Sequence, residues 1–127
     1  MTDEEFAAVT ALPPDRRYEY FIQRVADSEV VWSLSEGEQF VLEEDEQGSR
    51  AVPVWPHKRY AEACRAGAWV ARQPMGVHVE DFLEQVVPGA EEDGLEFAVF
   101  PVADGSTSAH VTPASLREHL QSEQTKY

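Results

Sequence analysis

Between Asp27 and Val30 the spacing of apolar residues changes, and that change constrains the fold more than any other feature of the chain. From Asp15 to Asp27, Tyr18, Phe21, Ile22 and Val25 fall at i, i+3, i+4 and i+7, a single stripe at the helical period, while Arg16, Arg17, Glu19 and Arg24 take the other face. From 29 to 35, Val30, Trp32 and Leu34 alternate with Val31, Ser33 and Ser35, which is the two-residue period of a strand rich in β-branched and aromatic side chains. Helix and sheet must therefore be built from separate segments and packed on one another, which makes the expected class α+β.

The remaining elements follow from the same two periods and their punctuation. Thr2 and Glu5 form a capping-box pattern before Phe6, Val9 and Leu12, and Pro13 and Pro14 end that first helix. Phe40 and Leu42 mark a second strand, the run from Glu43 to Gly48 a polar hairpin turn, and Ala51 to Trp55 a third strand, so that three consecutive strands form a meander. Pro53 places that third strand at an edge or turns its missing donor outward. Lys58 to Ala66 reads as a helix closed by Gly67, Trp69 to Ala71 as a short strand, Pro74 and Gly76 as a turn, and Val79 to Val87 as a helix that Pro88 and Gly89 stop. Leu95, Phe97 and Val99 alternate in a further strand, Ala103 to Ser108 is a loop, Ala109 to Val111 a short partner strand, and Thr112-Pro113 opens a last helix that frays over 121–127. The sum is an antiparallel sheet of about four to six strands, including the meander, packed against about four to five helices in a single domain over 1–127.

At 127 residues with 43% hydrophobic side chains, including six Phe and three Trp, the chain can fill a core, so its charge belongs on the surface. That charge is −14, from 24 acidic and ten basic residues, a field that repels phosphate backbones and anionic headgroups. Direct nucleic-acid and membrane binding are disfavoured, and a basic protein partner is compatible with it, as is plain solubility. One cysteine, Cys64, excludes an internal disulfide and points to a reducing compartment. The acidic N-terminus lacks the basic start of a signal peptide and no apolar run is long enough to span a bilayer, so the expected location is cytoplasmic.

The stretches Arg17-Tyr18-Glu19-Tyr20-Phe21, Val31-Trp32-Ser33-Leu34 and Val52-Pro53-Val54-Trp55-Pro56-His57 resemble a family of small bacterial proteins catalogued as a domain of unknown function, in the 2750 series. Asp81-Phe82-Leu83, Pro88-Gly89 and Phe97-Ala98-Val99-Phe100-Pro101 carry the same resemblance, which spans about residue 15 to 120. It implies kinship and no chemistry. At the level of fold, an acidic and glycine-bearing hairpin, a strand ending in Pro-Val-aromatic and a following helix are similar to the N-terminal domain of secretion-enhancer-like bacterial proteins, for some of which immunity or adaptor roles are suspected.

Trp55-Pro56-His57 is the leading candidate site, because a ring, a rigid backbone and a titratable imidazole emerge together at the end of a strand. The structural alternative is that Trp55 packs in the core and His57 caps the next helix. Four histidines, His57, His78, His110 and His119, share no zinc-type spacing, and one cysteine cannot make a thiolate cage, so neither a metal nor a cofactor is expected. Cys64 lies on an apolar helix face, no serine sits in a nucleophile elbow, and the glycines are scattered as turn residues. Two acidic clusters, Glu36 to Glu46 and Glu80 to Glu96, are either solvated faces or an anionic docking surface.

The expectation is a non-enzymatic binding protein, an adaptor or an immunity-like inhibitor of a basic partner. Glu43, Glu44, Asp45 and Glu46 would attract that partner, and Trp55 or Trp69, beside Pro56 and His57, would anchor it. Trp55→Ala would then weaken binding by roughly 2 kcal/mol or more. The rival is a small enzyme or ligand-binding domain with His57 in a pocket as acid or base, and a third reading is a structural subunit that buries an apolar patch in a homo-oligomer.

Overall fold

A computed structural model describes residues 1–44, 47–103 and 108–126, and it is an α+β assembly of helices on two sheets. Helix α1 (Asp3–Thr10) starts where Thr2 Oγ1 accepts the Glu5 N–H at 3.1 Å. Helix α2 (Pro14–Ser28) uses Pro14 as its first residue and buries Phe21, Ile22 and Val25 as its period requires. Arg17, expected on the solvated face, is instead 2% exposed. Its guanidinium donates to the Leu12 carbonyl at 2.7 Å and to the Phe100 carbonyl at 3.1 Å, so it satisfies backbone acceptors that would otherwise be buried unpaired. One of those acceptors belongs to a residue held in the left-handed region, Phe100 at φ 60°.

Strand β1 (Val30–Glu36) is the middle of a three-stranded sheet, between β2 (Gln39–Phe40) and β5 (Gln73–His78), antiparallel to both. The second sheet runs β3 (Glu43–Glu44), β4 (Arg50–Val54), β6 (Glu96–Val99), β7 (Ala109–Val111), with β4 parallel to β6. The strands expected as one meander are thus divided: β1 pairs β2, β3 pairs β4, and the chain changes sheets between Phe40 and Glu43. Trp32 and Trp55 rejoin the sheets by exchanging both backbone hydrogen bonds, at 2.9 and 2.7 Å. A parallel partner explains why four of the five β4 residues are buried, since strands with parallel neighbours are usually covered on both faces. The donor that Pro53 lacks is not needed, because β3 reaches only Ala51 and the Pro53 carbonyl takes the Ser33 hydroxyl at 2.6 Å.

Two punctuation marks read differently in three dimensions. Residues 67–69 form a 3₁₀ turn (Gly67–Trp69), and the strand lies beyond it, through Pro74 and Gly76. Strand β5 is a sheet edge, where proline is tolerated, and a Cβ at Gly76 would stand 3.1 Å from the Trp32 indole, so this glycine makes room for a ring and no turn. Likewise Pro88 and Gly89 do not stop their helix. Segments α4 (Val79–Asp81), a π turn (Phe82–Val86) and α5 (Val87–Asp93) form one continuous run that ends at Gly94, φ 69°. The π turn, in which the Val87 N–H reaches the Phe82 carbonyl, widens the ladder immediately before Pro88, where a regular helix would set the proline ring against a carbonyl.

Helix α3 (Lys58–Ala63) follows β4, and α6 (Pro113–Gln124) is capped by Thr112 Oγ1 and continues through residues expected to fray, with Glu123 buried and paired with Lys126. Phe21, Val25, Leu34, Val54, Trp55, Phe82, Phe97, Phe100, Leu116 and Leu120 make the shared core, all at or below 1% exposure. Most of the expected loop 103–108 lies outside the described residues.

Candidate interaction surface

Trp55 directly follows β4 and is 0% exposed. Its indole Nε1 donates to the Pro101 carbonyl at 2.8 Å, and its ring meets Trp69 edge-on with centroids 6.2 Å apart. The Cys64 thiol shares the Pro101 carbonyl at 3.3 Å, and burial pushes that thiol up to about 11, so it is protonated and unreactive at neutral pH. Pro56 is buried as well. The expected anchor is therefore a core residue that ties β4 to the segment after β6, and it offers no surface to a partner.

His57 is the helix cap of the structural alternative: its Nδ1 accepts the Arg59 N–H at 3.1 Å at the start of α3. Burial holds the imidazole below its ordinary value, helped by the positive charges of Arg24, the N-terminus and Arg59 and opposed by Glu5. A neutral ring is the form that accepts the hydrogen bond, so charge and geometry agree. Trp69 keeps part of its ring exposed beside Val70, which is 62% exposed.

A cleft of about 300 Å³ opens between α1, α3 and residues 100–103, walled by Phe6, Tyr60, Cys64, Phe100 and Val102. His57 is not among its walls. Burial raises the Tyr60 phenol, which therefore stays protonated at pH 7, and Thr10 donates its hydroxyl to the Phe6 carbonyl.

The acidic residues behave differently. Glu43 is half-buried in β3 and Glu44 exposed, while Asp45 and Glu46 lie outside the described residues. The register sets Glu43 and Glu96 on either side of Ala51, which places one member of each acidic cluster in the same row of the sheet. The 79–93 helix exposes Glu80, Asp81, Glu84, Glu91, Glu92 and Asp93 and contains no lysine or arginine. Its apolar side, Val79, Phe82, Val87 and Ala90, is buried, with Phe82 and Phe97 rings 5.3 Å apart. Between this helix and β2 lies a groove of about 280 Å³ whose walls include Phe40, Val52, Val86 and Leu95 and whose rim carries Asp93. Sequence reasoning missed the groove because it ended the helix at Pro88. The signal that could have found it was Gly94, a better helix stop directly after a renewed acidic run.

Among the described residues, no three His, Cys, Asp or Glu side chains are grouped so as to hold a metal ion, and no helix is long and apolar enough to cross a membrane. The family model described as Protein of unknown function (DUF2750) matches residues 18–120, and the chain belongs to that family. No curated protein and no solved structure matches it.

Proposed function

We propose that this member of a family without an assigned role is a non-enzymatic protein-binding domain of the reducing cytoplasm, an adaptor or immunity-like inhibitor that takes a basic protein partner. The observation that carries the reading is the 79–93 helix, with six exposed carboxylates and no basic residue. Glu80 and Asp81 lie in its first turn, where the helix dipole favours them. Glu91, Glu92 and Asp93 lie in its last turn, where the dipole opposes them, and among the described residues only Glu91 has an ion-pair partner, Arg117. Charge held against the local field would be favoured by an external cation, which supports the reading. A surface of this sign speeds encounter with a positively charged protein and makes the complex sensitive to salt. It also repels nucleic acid and anionic lipid, which favours a protein over those as the partner.

Capture with the tagged full chain from a lysate of its own source, at low and moderate salt, tests the reading beside a Glu84→Lys/Glu92→Lys variant. One basic protein recovered in stoichiometric amount by the natural chain, and lost with salt and with the charge reversal, is the expected result. Equal recovery by the charge-reversed variant, or no recovery at either salt, contradicts it.

A further inference from the structure

We infer that the groove between β2 and the 79–93 helix is where the basic partner docks, inserting an apolar side chain that lysines or arginines flank. The inference rests on the function proposed above and gives it an address. The lining is mostly aliphatic and aromatic, Phe40, Val52, Val86, Ala90 and Leu95, with Gln85 as its one neutral polar side chain. At about 280 Å³ the groove lies at the lower edge of the roughly 300–1,000 Å³ of ligand pockets and has room for one or two side chains of a polypeptide. Asp93 lines it, the helix that forms one bank also exposes Glu84 and Glu92, and exposed Glu38 precedes β2 on the other bank. An apolar slot within a negative field is complementary to an amphipathic segment bearing Lys or Arg.

Gly89 is the independent observation. It lines the groove inside a continuous helix, with no left-handed φ to require glycine, and a Cβ added there would meet no heavy atom within 4 Å. Gly76 contrasts with it, since there the Trp32 ring occupies the space of the missing side chain. Glycine is among the poorest helix formers, and neither backbone conformation nor internal packing asks for it at 89. What its absence of a side chain does provide is an open floor, where atoms from outside the chain can approach the helix backbone.

The test is fluorescence anisotropy of a labelled amphipathic Leu/Lys peptide titrated with the full chain, beside two matched peptides, one with Leu replaced by Ser and one with Lys replaced by Glu. Gly89→Leu fills the groove, Phe40→Ala alters its opposite bank, and Gly89→Ala is the stability control. The Leu/Lys peptide is expected to bind, and both Gly89→Leu and Phe40→Ala to weaken it at least about tenfold, as loss of an anchor contact does. Both matched peptides are expected to bind more weakly, while Gly89→Ala raises the melting temperature by about 4 °C through helix propensity. Undiminished binding by Gly89→Leu and Phe40→Ala, or equal binding of the Ser peptide, overturns the groove. The acidic reading then stands if Glu84→Lys/Glu92→Lys still abolishes binding. No binding of the Leu/Lys peptide overturns both. Sedimentation velocity on the same samples completes the test, because a natural dimer that Gly89→Leu makes monomeric would assign the groove to another copy of the chain and contradict a basic occupant.

Discussion

Trp55 and Glu92 stand in two regions that direct their chemistry in opposite ways. Around Trp55 the hydrogen bonds serve the fold: the indole and the Cys64 thiol share one carbonyl, His57 closes a helix, and Trp32 and Trp55 join the sheets. Around Glu92 the carboxylates turn outward, with three of them in the last turn of a helix whose dipole opposes them. The Trp55 region resembles a site in sequence because it concentrates rare, chemically versatile residues. Those same residues are what a chain needs to join two sheets to a helix in little space. The Glu92 region has the composition of ordinary solvated surface, yet it bears a local electrostatic cost and borders an apolar groove.

The contrast can be broken most sharply at Trp55. Trp55→Ala is expected to lower stability by about 3–5 kcal/mol, as for a fully buried aromatic side chain, measured by urea denaturation. A variant that keeps full stability but loses its partner would restore Trp55 as an anchor. Gly76→Ala should cost about 1–3 kcal/mol, because its methyl group meets the Trp32 ring at 3.1 Å and the ring must give way. His57→Ala should cost about 1 kcal/mol through the lost cap, and His57→Asn, which can cap, should restore most of it.

The pH dependence sharpens the same point with a smaller effect. The folded chain holds His57 below its ordinary value of 6.5, so the unfolded chain takes up the proton more readily. Stability from this residue is therefore complete above about pH 6.5 and declines as pH falls below it, and thermal melts between pH 5 and 7 should show a slope that His57→Asn removes. Smallest and opposite in sign, Asp93→Asn should raise the melting temperature slightly by taking a negative charge from the helix C-terminus, while weakening a basic partner.

Much of this fold was legible in the sequence, since α2, β1 and α6 follow directly from periodicity and caps. What escaped was set by tertiary partners. Pro88 breaks a regular helix, but a π turn just before it absorbs the conflict, and no local pattern announces a π turn. Gly76 reads as a turn until the Trp32 ring is placed over it. Arg17 has the spacing of a solvated residue, and only the carbonyls of Leu12 and Phe100 give it a reason to be buried. The Trp-Pro-His motif was visible, though sequence alone left its two readings open, and burial decided between them for Trp55 and Pro56.

The most direct test of the division between a structural junction and a binding helix is amide chemical-shift mapping of the full chain with the Leu/Lys peptide at low and moderate salt. Shifts confined to β2 and residues 79–95, shrinking as salt rises, are the expected result. Shifts centred on 55–71 would contradict it.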